Sequence, residues 1–539
     1  MKFQFFCFGT LYHPERYPHD AETLAEDVAL MRQLHMNVAL ISSGAVRYAM
    51  SVGGGDAWLC GILDALGGAG VSAGIEIQIP ETLPPQEMLQ KLDRDERVLF
   101  FKAASCKPGK ALQTARALRS AGLKKPVSLQ IQEKDLFSGL IKEDDADILC
   151  FSHAPEWTRG IVMERAGTAA FLEDRVRTVI NAPFFLTGVD PVRIRSSGCG
   201  KLRPPKTLQM ELLQAAIHGA RGCFFRDFRQ ARSGEERYEG AVISHSGKPD
   251  KRHFEEIEQV GRLLGEMQGM LQTKVASRCA LMCGEEERGT AYRLYKAIRS
   301  LGVSVDILAS GEAFERYHFV ASAGMRRVSE EMAERIRSFV EKGGIWLAGF
   351  GFATEDPAGI CFTGDVPHGM TDVFGIRVLE TEGLYPDEEI PLQTTPDFKG
   401  KHHVKRIQEI AQAEEADVVA RYDGGSFRGC PALVRKAFGD GFAYYLAADC
   451  DDGLLKILCD KILKSRKGIA RVKMPEGISV QRLADKEAEY LVFQNFTDRE
   501  KRLPLDYNKL DILFGYDPVP VCGVLVLRVP RKKGGREEA

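Results

Sequence analysis

Eight short runs rich in apolar, β-branched and aromatic residues punctuate the first half of the chain: FQFFCFG, NVALIS, VSAGIEIQI, VLFFKAA, PVSLQIQ, DILCFS, PFFLT and GCFFRD. Helical patterns such as DAETLAEDVALMRQLH and GKALQTARALRSAGL lie between them. A strand followed by a crossover, repeated eight times over roughly 270 residues, predicts a closed (β/α)8 barrel. Functional groups of such a barrel gather at the C-terminal ends of its strands, so those eight ends are where chemistry is sought.

A second α/β rhythm starts near Arg278, with CALMCG, TAYRLYKAIRSLG, VSVDIL, RYHFVASA and GGIWLAGFG. Its helix SEEMAERIRSFVEKGG is expected to start at an N-cap, Ser329, and to stop at Gly343, a residue free to turn left-handed. GISVQRL, EYLVFQNF and GVLVLRV, broken by turn residues, read as a small antiparallel β domain. The expected division is residues 1–272 for the barrel, 273–470 for the second α/β domain and 471–539 for the β domain. The last of these ends in the basic tail RVPRKKGGREE, read as a solvated terminus.

A length of 539 residues is itself too great for one core. The net charge of −2 leaves no broad basic surface for nucleic acid. No apolar run approaches the ~18 residues of a membrane span. The start, MKFQFFCFGTLYHPERYP, has neither a cationic leader nor a small-residue cleavage site, so the expected location is the cytoplasm. The thirteen cysteines are scattered and odd in number, which suits reduced thiols better than a disulfide framework. Cys279 and Cys283 form the one close pair, without a second Cys or His pair nearby, so neither a metal nor another cofactor is expected.

Several segments resemble glycoside hydrolase family 42, the β-galactosidases. GTLYHPERYPHDAETLAEDVALMRQLHMNVALIS is similar to that family's opening, where the first strand leads into Tyr-x-Pro-Glu-x-Trp-Pro. ELLQAAIHGARGCFFRDFRQARSGEERYEGAVISHSG resembles the segment around its last barrel strand. GMTDVFGIRVLETEGL resembles the end of its trimerisation domain, an amidotransferase-like fold, and YLVFQNF and LDILFG resemble its small C-terminal β domain. The resemblance implies a sugar or small polyol as ligand at the barrel mouth, and a homo-oligomer, a closed trimer.

A retaining glycosidase needs two carboxyl groups roughly 5 to 5.5 Å apart. By the resemblance, the acid/base position falls at Ser105, after Ala104, and the nucleophile position at Gly188, so both carboxylates are missing. Gly188 is therefore expected to mark a replaced nucleophile rather than a special backbone turn. The aromatic positions have drifted as well: Tyr17 stands for the first-strand Trp, Val46 near another, and Phe228 for a third. Asp190, Glu133 and Glu156 are the possible substitute acids at strand ends. Glu236, Glu239, Arg229, His13 and Trp157 are the candidate sugar-binding residues, while Glu15 reads as structural. Three functions follow: a carbohydrate-binding relative that has lost hydrolysis, an active glycoside hydrolase using recruited acids, or a scaffold whose mouth is plugged by apolar side chains.

Overall fold

All eight runs form the strands of one closed parallel barrel: β1 (Cys7–Tyr12), β2 (Val38–Ile41), β3 (Ser72–Ile77), β4 (Val98–Ala103), β5 (Val127–Ile131), β6 (Ile148–Phe151), β7 (Phe184–Val189) and β8 (Ala220–Phe225). The coordinates are a computed structural model, which describes the chain except residues 1–3, 79–82, 106–108, 154–161, 195–199, 250, 285–287, 467, 508–509 and 532–539. Strands covered on both faces read as continuous apolar runs, and here nearly every strand residue is buried. The lower lumen is filled by Phe100, Phe185 and Phe224, whose ring centroids lie 5.2 to 6.2 Å apart. Gly74 on β3 makes the space for one of these rings, since a Cβ there would meet Phe100 at 2.6 Å.

Four helices matter for the mouth. α1 (Ala21–Gln33) follows β1, and Asp20 caps it by accepting from the Thr23 backbone N–H. α2 (Ser43–Ser51) follows β2 and is capped by Ser42. α3 (Val162–Val179) precedes β7, and α4 (Thr207–Ile217) precedes β8.

The chain divides into two compact units, 1–275 with 483–530, and 276–482 with 531–539. In the first, strands Ala488–Asn495, Val524–Pro530 and Asp511–Phe514 pair antiparallel. Their segment packs on the barrel: the Gln494 amide donates to the Met210 carbonyl at 3.2 Å, and Phe496 clusters with Ala166 and Met210. The second unit is built on a mixed sheet in which Val305–Leu308, Cys279–Cys283, Phe319–Ala323, Ile345–Gly349 and Gly441–Leu446 run parallel. Trp346 is fully buried in its core against Phe314 and Phe339. Its helix Glu330–Glu341 is capped by Ser329, whose Oγ accepts from the Met332 N–H at 3.1 Å, and Gly343 follows with φ +99°. No helix of the described residues is long and apolar enough to cross a membrane.

Candidate carbohydrate site at the barrel mouth

The C-terminal end of the barrel opens into a cavity of about 620 Å³ whose walls carry many ionisable side chains. Among the described residues no apolar side chains plug it, so they lend no support to a scaffold with a sealed mouth.

After β1 the chain makes a single tight turn, Pro14–Arg16, and Pro14 pre-sets its backbone angle. That turn brings His13 between two carboxylates: Nδ1 to Glu15 Oε1 at 3.0 Å and Nε2 to Asp227 Oδ1 at 3.2 Å. Burial opposes the charge on the ring, but the bonds to Asp227 and Glu15 outweigh it and lift the imidazole to about 9. Burial likewise works against the Glu15 anion, and the bond from His13 wins, with the Ser42 hydroxyl at 2.8 Å adding to it, so this carboxyl sits below its usual range. Glu15 Oε2 is buried without a donor. Arg16 extends the chain of contacts to Asp227 at 3.2 Å and to Glu236 at 3.4 Å. Ions thereby stitch the first-strand turn to the segment after β8, and the Ser42 hydroxyl joins the end of β2 to them.

On β3 and β4, Glu76 and Lys102 meet at 2.9 Å, both buried. Burial pulls the Lys102 ammonium down, and the Glu76 charge more than compensates. The end of β4 continues through Ala103 and Ala104 to Ser105, with no carboxyl among them. Ser105 is half-buried and is not one of the residues lining the cavity.

Gly188 does line it, and here the expectation from sequence is corrected. Its φ is +72°, in the left-handed region that favours glycine, and a Cβ would lie 2.8 Å from Ser152 Oγ. Leu186 and Val189 of β7 face Cys223 and Phe225 of β8, three steps against two, so the glycine sits in a β-bulge. The residue is a special backbone turn as well as a position without a carboxylate.

Asp190, two residues on, is occupied by its own backbone neighbourhood. Oδ1 accepts from the N–H groups of Val192 and Arg193, each at 2.8 Å, and Oδ2 from Gly240 at 2.9 Å. Arg203 ties the same loop down, donating to the Asp190 carbonyl at 2.7 Å and to Glu211 at 2.6 Å. Behind β6, His153 Nε2 contacts Glu173 at 3.1 Å, and Gln214 of α4 donates to the other Glu173 oxygen at 3.2 Å. Burial opposes charge on His153, and its bond to Glu173 prevails, raising the ring above its ordinary value.

The remaining candidates are dispersed. Glu236 lines the cavity from an exposed turn. Glu239 is not on the wall itself but grips Arg226, which is, at 2.5 Å. Arg229 is drawn to α1, pairing with Asp27 and Glu26 at 2.6 Å each, and does not line the cavity. Glu133 is exposed on a short turn after β5, also off the cavity wall. Glu156 and Trp157 lie outside the described residues. Sequence reasoning missed Glu76, Lys102, Arg203 and Glu211, although the first two carry a legible signal: a charge interrupting an otherwise apolar strand run. Among the described residues no group of three or more His, Cys, Asp or Glu side chains could hold a metal ion.

Comparison with known proteins supplies the family. The description "Beta-galactosidase" matches residues 115–267, and "Beta-galactosidase trimerisation domain" matches residues 274–470. A β-galactosidase of Alicyclobacillus acidocaldarius is 25% identical over 72% of this chain and 61% of its own length. One of Clostridium perfringens is 26% identical over 68% of this chain and 57% of its own length. The alignments thus span about three-fifths of these curated relatives. Among solved structures, the β-galactosidase of Rahnella sp. R3 superposes with a TM-score of 0.86 at 19% identity, over 98% of this chain and 99% of that one. The enzyme of Bacillus circulans gives 0.84 at 17%, over 98% and 99%. With the barrel, the second α/β unit and the motifs in order along the chain, these matches make the protein a relative of the glycoside hydrolase family 42 β-galactosidases.

Proposed function

We propose that this chain binds a saccharide at its barrel mouth and does not hydrolyse glycosides by the two-carboxylate retaining route. The observation that carries the reading is the bulge at Gly188, which removes a side chain from the strand end where a family nucleophile is expected. The end of β4, at Ala104 and Ser105, offers no proton donor for a leaving group either.

The substitute acids do not repair this. Asp190 is held by three backbone donors, and Glu133 is off the cavity wall. The other carboxylates of the described wall each face a cation: Glu15 and Asp227 at His13, Glu76 at Lys102, Glu211 at Arg203, Glu236 at Arg16. Engaged in these pairs, none of them stands free to protonate a leaving group.

The test pairs two measurements on the full chain: calorimetric binding of galactose, and turnover of nitrophenyl β-galactoside. Binding without turnover is the expected result. Robust turnover abolished by Asp190→Asn or Glu156→Gln would establish the recruited-acid hydrolase instead.

The match to a trimerisation domain over residues 274–470 supports self-association of that unit, as a closed cyclic trimer. Light scattering at micromolar concentration should give three times the chain mass of 59.8 kDa, and a monomer would overturn it. Cytoplasmic placement fits the described cysteines, which are thiols rather than disulfides.

A further inference from the structure

Most ions on the wall of the mouth face an opposite charge, while Asp190 is held by backbone N–H groups and Arg193 donates to the Gly200 carbonyl. Lys102 faces Glu76, Arg203 faces Glu211, Arg16 reaches Asp227 and Glu236, His13 lies between Glu15 and Asp227, and Arg226 grips Glu239. Arg47 differs. It lines the same cavity from α2 and is exposed to it, yet its guanidinium has one hydroxyl for a partner, Ser43 Oγ at 3.4 Å, the outer limit of a hydrogen bond. No carboxylate of the described residues pairs with it.

A neutral sugar can offer such a group a hydroxyl acceptor but leaves its charge unmatched. An oxyanion matches the charge as well. The planar fork of N–H donors matches a carboxylate or phosphate in two parallel charge-assisted bonds. The two strand ends that would repel an anion in a retaining glycosidase are uncharged here, Ser105 and Gly188. The carboxylates that remain are already matched, so a ligand anion near Arg47 would meet a cation whose charge no neighbour offsets.

We propose that the saccharide taken by this mouth is anionic, a sugar bearing a carboxylate or a phosphate ester, and that Arg47 is the residue that selects it. The proposal rests on the reading of the mouth as a sugar site and goes further by assigning the ligand's charge. The two oxyanion sources share one chemistry, and separate probes tell them apart.

Galactose, galacturonate and galactose 6-phosphate are titrated into the full chain and into Arg47→Ala by calorimetry at low salt. At least one anionic sugar should bind roughly tenfold tighter than galactose, and raising salt from about 0.05 to about 0.5 M should narrow that gap by screening. Preference for galacturonate alone assigns a carboxylate, and preference for the 6-phosphate alone assigns an ester. Arg47→Ala should erase most of the gap, read as the ratio of anionic-sugar to galactose affinity. Arg47 is exposed on a helix surface, and an unchanged thermal melt verifies that the variant folds. Galactose binding as tightly as both anions overturns the charge assignment and leaves the sugar site standing. A gap that survives Arg47→Ala overturns the selecting role of Arg47. Failure of all three sugars overturns the sugar site and this proposal together.

Discussion

Lys102 Nζ lies 2.9 Å from Glu76 Oε2, an ion pair between adjacent strands directly above the phenylalanine layer that closes the barrel lumen. Truncating one partner strands the other as a buried charge, so Lys102→Met should destabilise the fold by about 3 to 5 kcal/mol. Lys102→Met combined with Glu76→Leu should recover most of that loss, since the pair is exchanged for apolar packing of similar volume. Urea unfolding of both variants checks it. A single variant as stable as the parent would mean that the pair is open to water and energetically idle.

Gly188 predicts a local cost for any side chain. Gly188→Ala must hold a left-handed φ and press its Cβ against Ser152 Oγ, and should lose about 1 to 2 kcal/mol. Gly188→Glu should carry at least the same penalty and should not create galactosidase turnover, because no acid stands at Ser105 to protonate a leaving group. Thermal melts and a nitrophenyl galactoside assay read the two halves separately.

Asp190 distinguishes a loop anchor from a recruited catalyst. In Asp190→Asn the amide nitrogen faces a backbone donor, either Gly240 or the Val192 and Arg193 pair, so a donor meets a donor. The expected loss is about 1 to 3 kcal/mol of stability, seen by thermal unfolding. A variant with parental stability and abolished turnover would assign Asp190 to chemistry instead.

The architecture was legible because strands buried on both faces leave continuous apolar runs, and all eight of those quoted are barrel strands. Ser329 and Gly343 likewise mark a helix by local chemistry that tertiary contacts do not override. The site was less legible. A glycine at a strand end is compatible with both a substituted residue and a bulge, and the extra residue that makes the bulge shows only in the register against β8. Arg229 reads as a mouth residue from its place after β8, but Asp27 on α1, about two hundred positions earlier in the chain, draws it away. Reading a run as apolar discounts the one charge within it, which hides Glu76 and Lys102. Pairing between strands distant in sequence is what makes those charges tolerable, and it leaves no mark on either strand alone.

The His13 staple should make barrel stability depend on pH from both sides. Its imidazole is lifted from 6.5 to about 9 in the fold, so the ring binds its proton more tightly folded than unfolded. That contribution is therefore fully present below about 6.5 and is lost as pH rises through about 9. The shift is worth on the order of 3 kcal/mol at the low-pH limit. Glu15 acts in the opposite direction: its folded carboxyl sits below the ordinary value of 4.5, so its contribution is present above that value and is lost as pH falls below it. Thermal unfolding of the parent should thus pass through a plateau bounded by these two windows. His13→Gln keeps a polar side chain of similar reach but cannot carry the charge. It should be less stable than the parent at pH 6, and the difference should shrink steadily toward pH 10. A difference that stays constant across that range would show that His13 contributes packing alone and that its proton plays no part in holding the mouth together.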